Sequence, residues 1–110
     1  MTSEPSYLEL GVPDADKARA FYGAVLGWQA SGDAGNGQVD TDSLSIGIHG
    51  GDPDAHFEVF FNVSDLTAAA QQVVQRGGRL VSEETAAEGF GRYLECADDQ
   101  GVRFGLRQLG

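Results

Sequence analysis

The sequence predicts an α+β domain in which one structural unit occurs twice. The unit is a strand, then a helix, then further strands. Two stretches carry this prediction: "YLELGVPDADKARAFYGAVLG", which begins at residue 7, and "EVFFNVSDLTAAAQQVVQRGG", which begins at residue 58. Val12 and Asp14 correspond to Val63 and Asp65, an offset of 51 residues. Each stretch has an alternating run, a helix-start signal and an amphipathic run that ends in glycine. The match in residue type along the whole stretch favours an internal duplication.

A helix is predicted in each stretch. The short acceptor side chain of Asp14 can cap the free N–H groups of the first turn, and Gly27 can end that helix. Ser64 or Asp65 is the corresponding cap in the second stretch, where the glycines at 77–78 end the helix. The expected apolar faces are Ala18, Phe21, Tyr22 and Val25 in the first helix, and Leu66, Ala69, Ala70 and Val73 in the second.

Strict alternation predicts strands in "YLELGV", "LSIGIHG", "HFEVFFNV" and "VRFGLRQ". In each, the aliphatic set is expected to pack under the helices and the mixed polar and aromatic set to form the other face. "GWQAS", "GQVDT", "RLVSEE" and "GRYLECA" are further predicted strands, whereas "SGDAGNG" and "GGDPDA" are predicted loops. The predicted order is strand, helix, three strands, twice. Gly105 interrupts the last strand, where a glycine has no side chain to pack against its neighbours.

Composition and charge limit the function classes. A chain of 110 residues predicts a single domain over residues 1–110. The net charge of −10 disfavours nucleic acid and anionic membranes and favours a neutral or cationic small molecule. No stretch resembles a membrane span or a secretory leader. The single cysteine, Cys96, cannot form an internal disulfide and is expected to be a buried, inert thiol. We therefore expect a cytoplasmic protein.

Two motifs resemble the vicinal oxygen chelate superfamily of glyoxalases, bleomycin resistance proteins and extradiol dioxygenases. They are "GVPDADKARAFYGAVLGW" and "GRYLECADDQGVRFGLRQ", and the resemblance covers residues 5–108. It implies two paired βαβββ modules, at about 5–50 and about 55–108. Their mixed sheet would curl around a cavity, with the helices on the outer face. Because members of that superfamily often dimerise, and edge strands need cover, a homodimer is expected.

The resemblance also implies where a metal would be bound. Metal-dependent members use one side chain from the first and last strand of each module, which corresponds here to Tyr7, Gly47, Glu58 and Gly105. Only Glu58 is an ordinary ligand, so no metal and no cofactor are expected. The two glycines either leave space where a ligand would lie or mark bulges in the sheet. A rival ligand set is His49, His56, Glu9 and Glu58, which share one face.

Two functions from different classes remain open. The first is metal-independent binding of an aromatic or cationic ligand, as in the antibiotic-resistance members. The second is a lyase, isomerase or dioxygenase in which Glu9 or Glu58 acts as a base. A third role for these acids is a structural ion-pair network with Arg103 or Arg107. The expected ligand-binding residues are Tyr7, Glu9, Trp28, Gly47, His49, Glu58, Phe60, Tyr93, Arg103 and Gly105.

Overall fold

The computed structural model describes residues 2–32 and 35–109. Within them the chain forms two helices and eight strands. The helices are α1 (Ala15–Leu26) and α2 (Leu66–Gln75). The strands are β1 (Pro5–Gly11), β2 (Asn36–Asp40), β3 (Ser45–His49), β4 (His56–Asn62), β5 (Arg79–Leu80), β6 (Thr85–Ala87), β7 (Gly91–Ala97) and β8 (Arg103–Gln108). The predicted α+β class is confirmed. Neither helix has the length and apolar character that a membrane crossing requires.

The chain divides into two compact units, which we call the first unit (residues 6–58) and the second unit (residues 1–5 and 59–110). In the first unit β3 pairs with β1 in parallel and with β2 antiparallel. Helix α1 covers one face of these strands, and Leu10, Ile46 and Ile48 are buried beneath it. The alternation of β1 and β3 therefore places the aliphatic set where the sequence predicted it.

In the second unit β8 pairs with β4 in parallel and with β7 antiparallel. The short strands β5 and β6 both pair antiparallel with β7. Helix α2 packs on this sheet over a core of Leu66, Leu94, Cys96 and Leu106. Cys96 is fully buried, as the sequence predicted.

The helix boundaries follow the predicted signals. The Asp14 carboxylate accepts a hydrogen bond from the Lys17 N–H at 3.1 Å, and Gly27 ends α1 in the left-handed conformation at φ 73°. Of the two candidate caps of α2, Asp65 is the one that caps, because its carboxylate accepts from the Ala68 N–H at 3.0 Å. The predicted apolar face of α2 is also confirmed.

The predicted face of α1 is partly wrong. Phe21 and Val25 have 60% and 61% of their surface exposed, whereas Ala15, Ala18 and Tyr22 contact the core. Spacings of three and four residues carry the buried stripe through Ala15, Ala18 and Tyr22, and Phe21 lies about 100° around the helix from the centre of that stripe. The predicted face included the larger side chains, whereas the small side chains of Ala15 and Ala18 are the ones that approach the sheet closely.

Two predicted strands differ from the structure. The stretch "GWQAS" is not a strand apart from a bridge between Ser31 and Gln38, because Trp28 turns back to stack on Tyr22 with ring centroids 4.8 Å apart. The stretch "RLVSEE" is extended only over β5. Directly after β5, the N–H groups of Val81 and Ser82 both donate to the Glu95 carbonyl oxygen. This shared acceptor marks a β-bulge, at which the pairing of β5 with β7 ends. Strand β6 was not predicted, and residues 33–34 of the loop "SGDAGNG" lie outside the described residues.

Candidate functional site

Each unit has a candidate site on the sheet face that lies opposite its helix. In β1 the alternation that buries Leu8 and Leu10 under α1 turns Tyr7 and Glu9 to the other face. The register of β1 with β3 places Gly47 beside Glu9. In the second unit the same alternation places Phe60 beside Gly105. We call these surfaces the polar face of the first unit and the aromatic face of the second unit.

A chain of hydrogen bonds runs across the polar face. The Tyr7 hydroxyl donates to Glu9 Oε1 at 2.6 Å. His49 Nδ1 lies 2.6 Å from the other oxygen of the same carboxylate, Oε2. His49 Nε2 lies 3.2 Å from Asp52 Oδ2. Both oxygens of Glu9 and both nitrogens of His49 are therefore engaged, and Tyr7 lies at one end of the chain and Asp52 at the other.

The two carboxylates favour the charged form of His49. The hydrogen bond with Glu9 is the main cause that raises the pKa of this imidazole above its usual range, with a smaller contribution from Asp52. Partial burial opposes this shift but does not reverse it. The pKa of the Asp52 carboxyl is lowered, first by the Asp54 N–H and then by His49. An imidazole that donates from both nitrogens is protonated, so the two carboxylates together stabilise the protonated form of His49.

Gly11 leaves room for this chain of hydrogen bonds. It lies beside His49 in the register of β1 with β3, and a β-carbon placed on it would lie 2.6 Å from Asp52 Oδ2 and 2.8 Å from His49 Nε2. Neither atom could keep its position against such a contact. Asp52 and Gly11 were not identified from the sequence. The available signal was the position of Asp52, three residues after His49 and at the start of a loop.

The two strand glycines lie under aromatic side chains. A β-carbon on Gly47 would overlap the Tyr7 hydroxyl oxygen and approach Glu9 Oε1 to 2.6 Å. A β-carbon on Gly105 would overlap the ring of Phe60. The sequence left open either space for a ligand or a bulge, and the structure shows neither, because both glycines keep regular strand register and the space above them is filled. The space is filled by a side chain of the adjacent strand in both cases.

The aromatic face contains three rings in edge-to-face contact. Phe60 meets Phe90 at 5.8 Å and Tyr93 at 5.9 Å between ring centroids, and Phe90 meets Tyr93 at 5.2 Å. Arg107 covers Phe90 with its guanidinium carbon 4.0 Å from the ring centroid, and its Nε donates to the Phe90 carbonyl oxygen at 2.7 Å. Phe90 lies in the turn before β7 and was missed, although an aromatic between two glycines next to a strand is a visible signal.

The remaining predicted site residues are placed apart from these clusters or at their borders. Arg103 pairs with Glu95 at 3.3 Å in the second unit. His56 lies 3.9 Å from Asp52, at the end of the polar chain. Glu58 is buried, with 1% of its surface exposed. Trp28 lies on the helix side of the first unit, packed against its core, so the structure does not bring it together with Tyr7 and Glu9.

The four positions at which the resemblance places metal ligands do not fit a metal ion. Tyr7 uses its hydroxyl on Glu9, while Gly47 and Gly105 supply no side chain and have their space filled. Glu58 is the single carboxylate among them. Within residues 2–32 and 35–109, no group of three or more His, Cys, Asp and Glu side chains is arranged to hold a metal ion. In the rival set, Glu9 and His49 bind each other.

Comparisons with known proteins agree with this fold. The chain is 26% identical over 129 residues to "Anthracycline biosynthesis protein DauV" of Streptomyces sp. (strain C5), a match that covers 96% of this chain and 47% of the relative. "Anthracycline biosynthesis protein DnrV" of Streptomyces peucetius matches with the same identity and coverage. The chain thus spans about half the length of the relatives it matches.

Solved structures show the same fold. The hypothetical protein BH1468 from Bacillus halodurans C-125 superposes with a TM-score of 0.75 at 13% identity, covering 100% of this chain and 96% of that one. Methylmalonyl-CoA epimerase from Mycobacterium tuberculosis superposes with a TM-score of 0.67 at 20% identity, covering 96% and 87%. The sequence profile of the Glyoxalase/Bleomycin resistance protein/Dioxygenase superfamily matches residues 5–106. The chain therefore belongs to this superfamily.

Proposed function

We propose that this chain is a metal-independent binding protein for a small molecule that carries a flat ring. The observation that supports this most strongly is the filling of both strand glycines: the Tyr7 hydroxyl lies over Gly47, and the Phe60 ring lies over Gly105. A protein that used these positions for a metal would need ligating side chains there. Here the aromatic side chains of Tyr7 and Phe60 occupy that space.

The aromatic face is the part of the proposed site that selects a ring. Phe90 and Tyr93 are half-buried and lie edge to face, so part of each ring can pair with a further aromatic ring, while the buried Phe60 supports them. Tyr93 is half-buried and also carries a hydroxyl, so it can give both contact area and a hydrogen bond. The names of the relatives, which refer to anthracycline biosynthesis, are consistent with a polycyclic aromatic ligand.

The ion pairs and hydrogen bonds on the two faces change which class of ligand is expected. A cationic ligand was one expectation from the sequence, and Glu9, Glu58 and Glu95 are the acids that could hold its charge. Glu9 is engaged by Tyr7 and His49, and Glu95 is engaged by Arg103. The positive guanidinium of Arg107 lies against the aromatic face instead. We therefore expect ring contacts, rather than a cation, to supply the affinity at this face.

Binding of an anthraquinone, measured by calorimetry, tests the proposal. Tyr93→Leu should weaken binding about five- to tenfold, since an aromatic pair contributes about 1 kcal/mol beyond its buried area. Phe21→Leu is the matched control, because Phe21 is an exposed aromatic on α1 and its replacement should leave the affinity unchanged. Equal affinities for both variants would contradict a ring-binding role for the aromatic face.

A second candidate function is metal-free acid–base catalysis by a lyase or isomerase. The observation that favours it is the hydrogen-bonded chain Tyr7, Glu9, His49 and Asp52, in which an imidazole links two acids and a phenol binds the first acid. In an enzyme of this kind, Glu9→Gln should abolish exchange of solvent deuterium into an acidic carbon of a bound ketone. Binding of that ketone should change less than about threefold. Loss of binding together with exchange would instead favour the binding function.

A further inference from the structure

An apolar surface lies on α1 of the first unit, outside the candidate site. Phe21, Val25 and Leu26 have 60%, 61% and 56% of their surface exposed, and Phe57, which lies beside the helix, has 47%. We call these four side chains the α1 patch. Exposed apolar residues that are scattered singly are normal, whereas a contiguous patch marks an interaction surface. A partner for the α1 patch is therefore indicated if its members are contiguous.

Tyr22 connects the members of the α1 patch. Its ring meets Phe21 at 5.2 Å and Phe57 at 6.1 Å between centroids, edge to face in both cases. Val25 follows Phe21 by four residues and Leu26 follows Tyr22 by four, and residues four apart are neighbours on a helix surface. The α1 patch is therefore one continuous surface with the half-buried Tyr22 at its centre.

The area of the α1 patch matches the needs of a weak dimer. The exposed parts of its four side chains amount to about 400 Å², a size at which a patch on a soluble chain is often functional. Two such patches in contact remove about 800 Å² of mostly apolar surface from water. A polar rim around them supplies the rest of the about 1,200 Å² at which specific interfaces begin.

The charges of α1 suit contact between two copies of this chain. The net charge of −10 makes two copies repel each other over most of their surface. Helix α1 differs from the rest of the chain, because it holds one acid, Asp16, and two bases, Lys17 and Arg19. Two copies can therefore meet at α1 without placing a strongly acidic surface against another.

We propose that the α1 patch is the interface of a symmetric homodimer in which α1 packs antiparallel against α1 of a second copy. Phe21 lies at the middle of this helix. A two-fold axis beside Phe21 brings Lys17, four residues before it, next to the last turn of the partner's helix. The last turn of α1 contains no basic residue, and a helix end carries a partial negative charge, so the Lys17 ammonium complements it.

This interface is independent of the proposed ring-binding function, because the α1 patch lies in the first unit and the aromatic face lies in the second. Failure of one proposal therefore does not decide the other. The homodimer expected from the sequence would cover edge strands of the sheet. The interface proposed here covers a helix instead, so substitutions on α1 distinguish the two.

Sedimentation equilibrium of the full chain from about 1 to 500 µM tests the proposal, at about 0.15 M NaCl to screen the repulsion between copies. We expect a monomer–dimer equilibrium with a micromolar Kd. Val25→Glu places a like charge on both sides of the interface and should raise this Kd at least about thirtyfold. Val74→Glu is the matched control, because Val74 is 56% exposed on α2 of the other unit, and its Kd should stay within about twofold of the native value.

Phe21→Cys gives a second readout of which helix faces meet. Because Cys96 is fully buried, oxidation of Phe21→Cys should link two copies through residue 21, whereas Val74→Cys should stay mostly unlinked. Three results would each overturn the proposal. They are a monomer at every concentration, equal effects of Val25→Glu and Val74→Glu, or no more covalent dimer from Phe21→Cys than from Val74→Cys.

Discussion

The two units use corresponding positions in opposite ways. At the offset of 51 residues, Tyr7 corresponds to Glu58 and Glu9 corresponds to Phe60. In β1 the aromatic residue precedes the acid, and in β4 the acid precedes the aromatic residue. Glu9 and Phe60 each lie beside a glycine of a parallel strand, Gly47 or Gly105. The result is a hydrogen-bonded polar face in the first unit and a cluster of rings in the second.

This difference shows what a strand glycine does at each position. Gly47 makes room for the tip of a tyrosine, whose hydroxyl must reach Glu9. Gly105 makes room for a whole ring, which has 4% of its surface exposed and contacts two further rings. The tip of Tyr7 can move into solvent, whereas the Phe60 ring is confined. The same substitution should therefore have different consequences in the two units.

The largest effect is expected at Gly105. Gly105→Ala places a methyl group against the confined Phe60 ring, and we expect the free energy of unfolding to fall by about 2–3 kcal/mol, as for other overpacked cores. Urea denaturation measures this change. Gly37→Ala is the control, because a β-carbon there meets neighbours at an ordinary 3.5 Å, and its effect should stay within about 0.5 kcal/mol. Phe60→Leu should remove at least half of the Gly105→Ala effect, and a full effect in that background would refute the contact.

A smaller effect is expected at Gly47. Gly47→Ala should displace the Tyr7 hydroxyl from Glu9 and lower the free energy of unfolding by about 1 kcal/mol, the value of one hydrogen bond. In a Tyr7→Phe background the hydroxyl is already absent, so the same substitution should have less effect. A double-mutant cycle measures this coupling. Additive effects of the two substitutions would show that the Tyr7 hydroxyl does not occupy the space above Gly47.

The smallest effect concerns the charge on His49. Because the pKa of this imidazole is raised from its ordinary value of 6.5 in the folded state, its stabilising contribution is complete below pH 6.5. That contribution is lost as the pH rises through the folded pKa. Asp52 behaves in the opposite sense, because its pKa is lowered, and its contribution is lost as the pH falls below 3.8. We expect Glu9→Gln to lower the pKa of His49 and to reduce the loss of stability that occurs as the pH rises above 6.5.

The chain has two histidines, so His56→Gln leaves His49 as the only imidazole for an NMR titration. Glu88→Gln, which changes an exposed acid in the other unit, is the control and should leave the pKa of His49 unchanged. An unchanged pKa of His49 in Glu9→Gln would show that the contact between Glu9 and His49 is not maintained in solution.

Local patterns predicted most of the fold. Alternation identified β1, β3, β4 and β8, and the caps at Asp14 and Asp65 fixed where the helices begin. The predicted core face of β4 was wrong, because Glu58 and Phe60 are buried whereas Phe57 has 47% of its surface exposed. The predictions that failed concern segments whose structure depends on tertiary contacts. Trp28 stacks on Tyr22 instead of pairing as a strand, and the bulge at Val81 and Ser82 depends on the Glu95 carbonyl oxygen. Neither contact leaves a periodic signal in the sequence.

Alternation placed the strand residues of the candidate site on shared faces, whereas its loop residues were missed. Tyr7, Glu9, Gly47 and His49 share a face by alternation alone, as do Phe60 and Gly105 across one pair of strands. Asp52 and Phe90 lie in irregular segments, where position in the sequence does not determine position in space. The sequence also could not show that the side chains of Tyr7 and Phe60 fill the space above the glycines. That outcome depends on side-chain direction, which the residue type does not fix.

The measurement that tests the central claim most directly is metal content together with ligand binding. The purified chain is dialysed, its Zn, Ni, Mn and Fe are measured by elemental analysis, and anthraquinone binding is then compared with and without EDTA. If the space above Gly47 and Gly105 holds side chains rather than ligands, metal should be far below one equivalent per chain and EDTA should not change the affinity. About one equivalent of metal that persists after dialysis and is lost in Glu58→Ala would contradict the account.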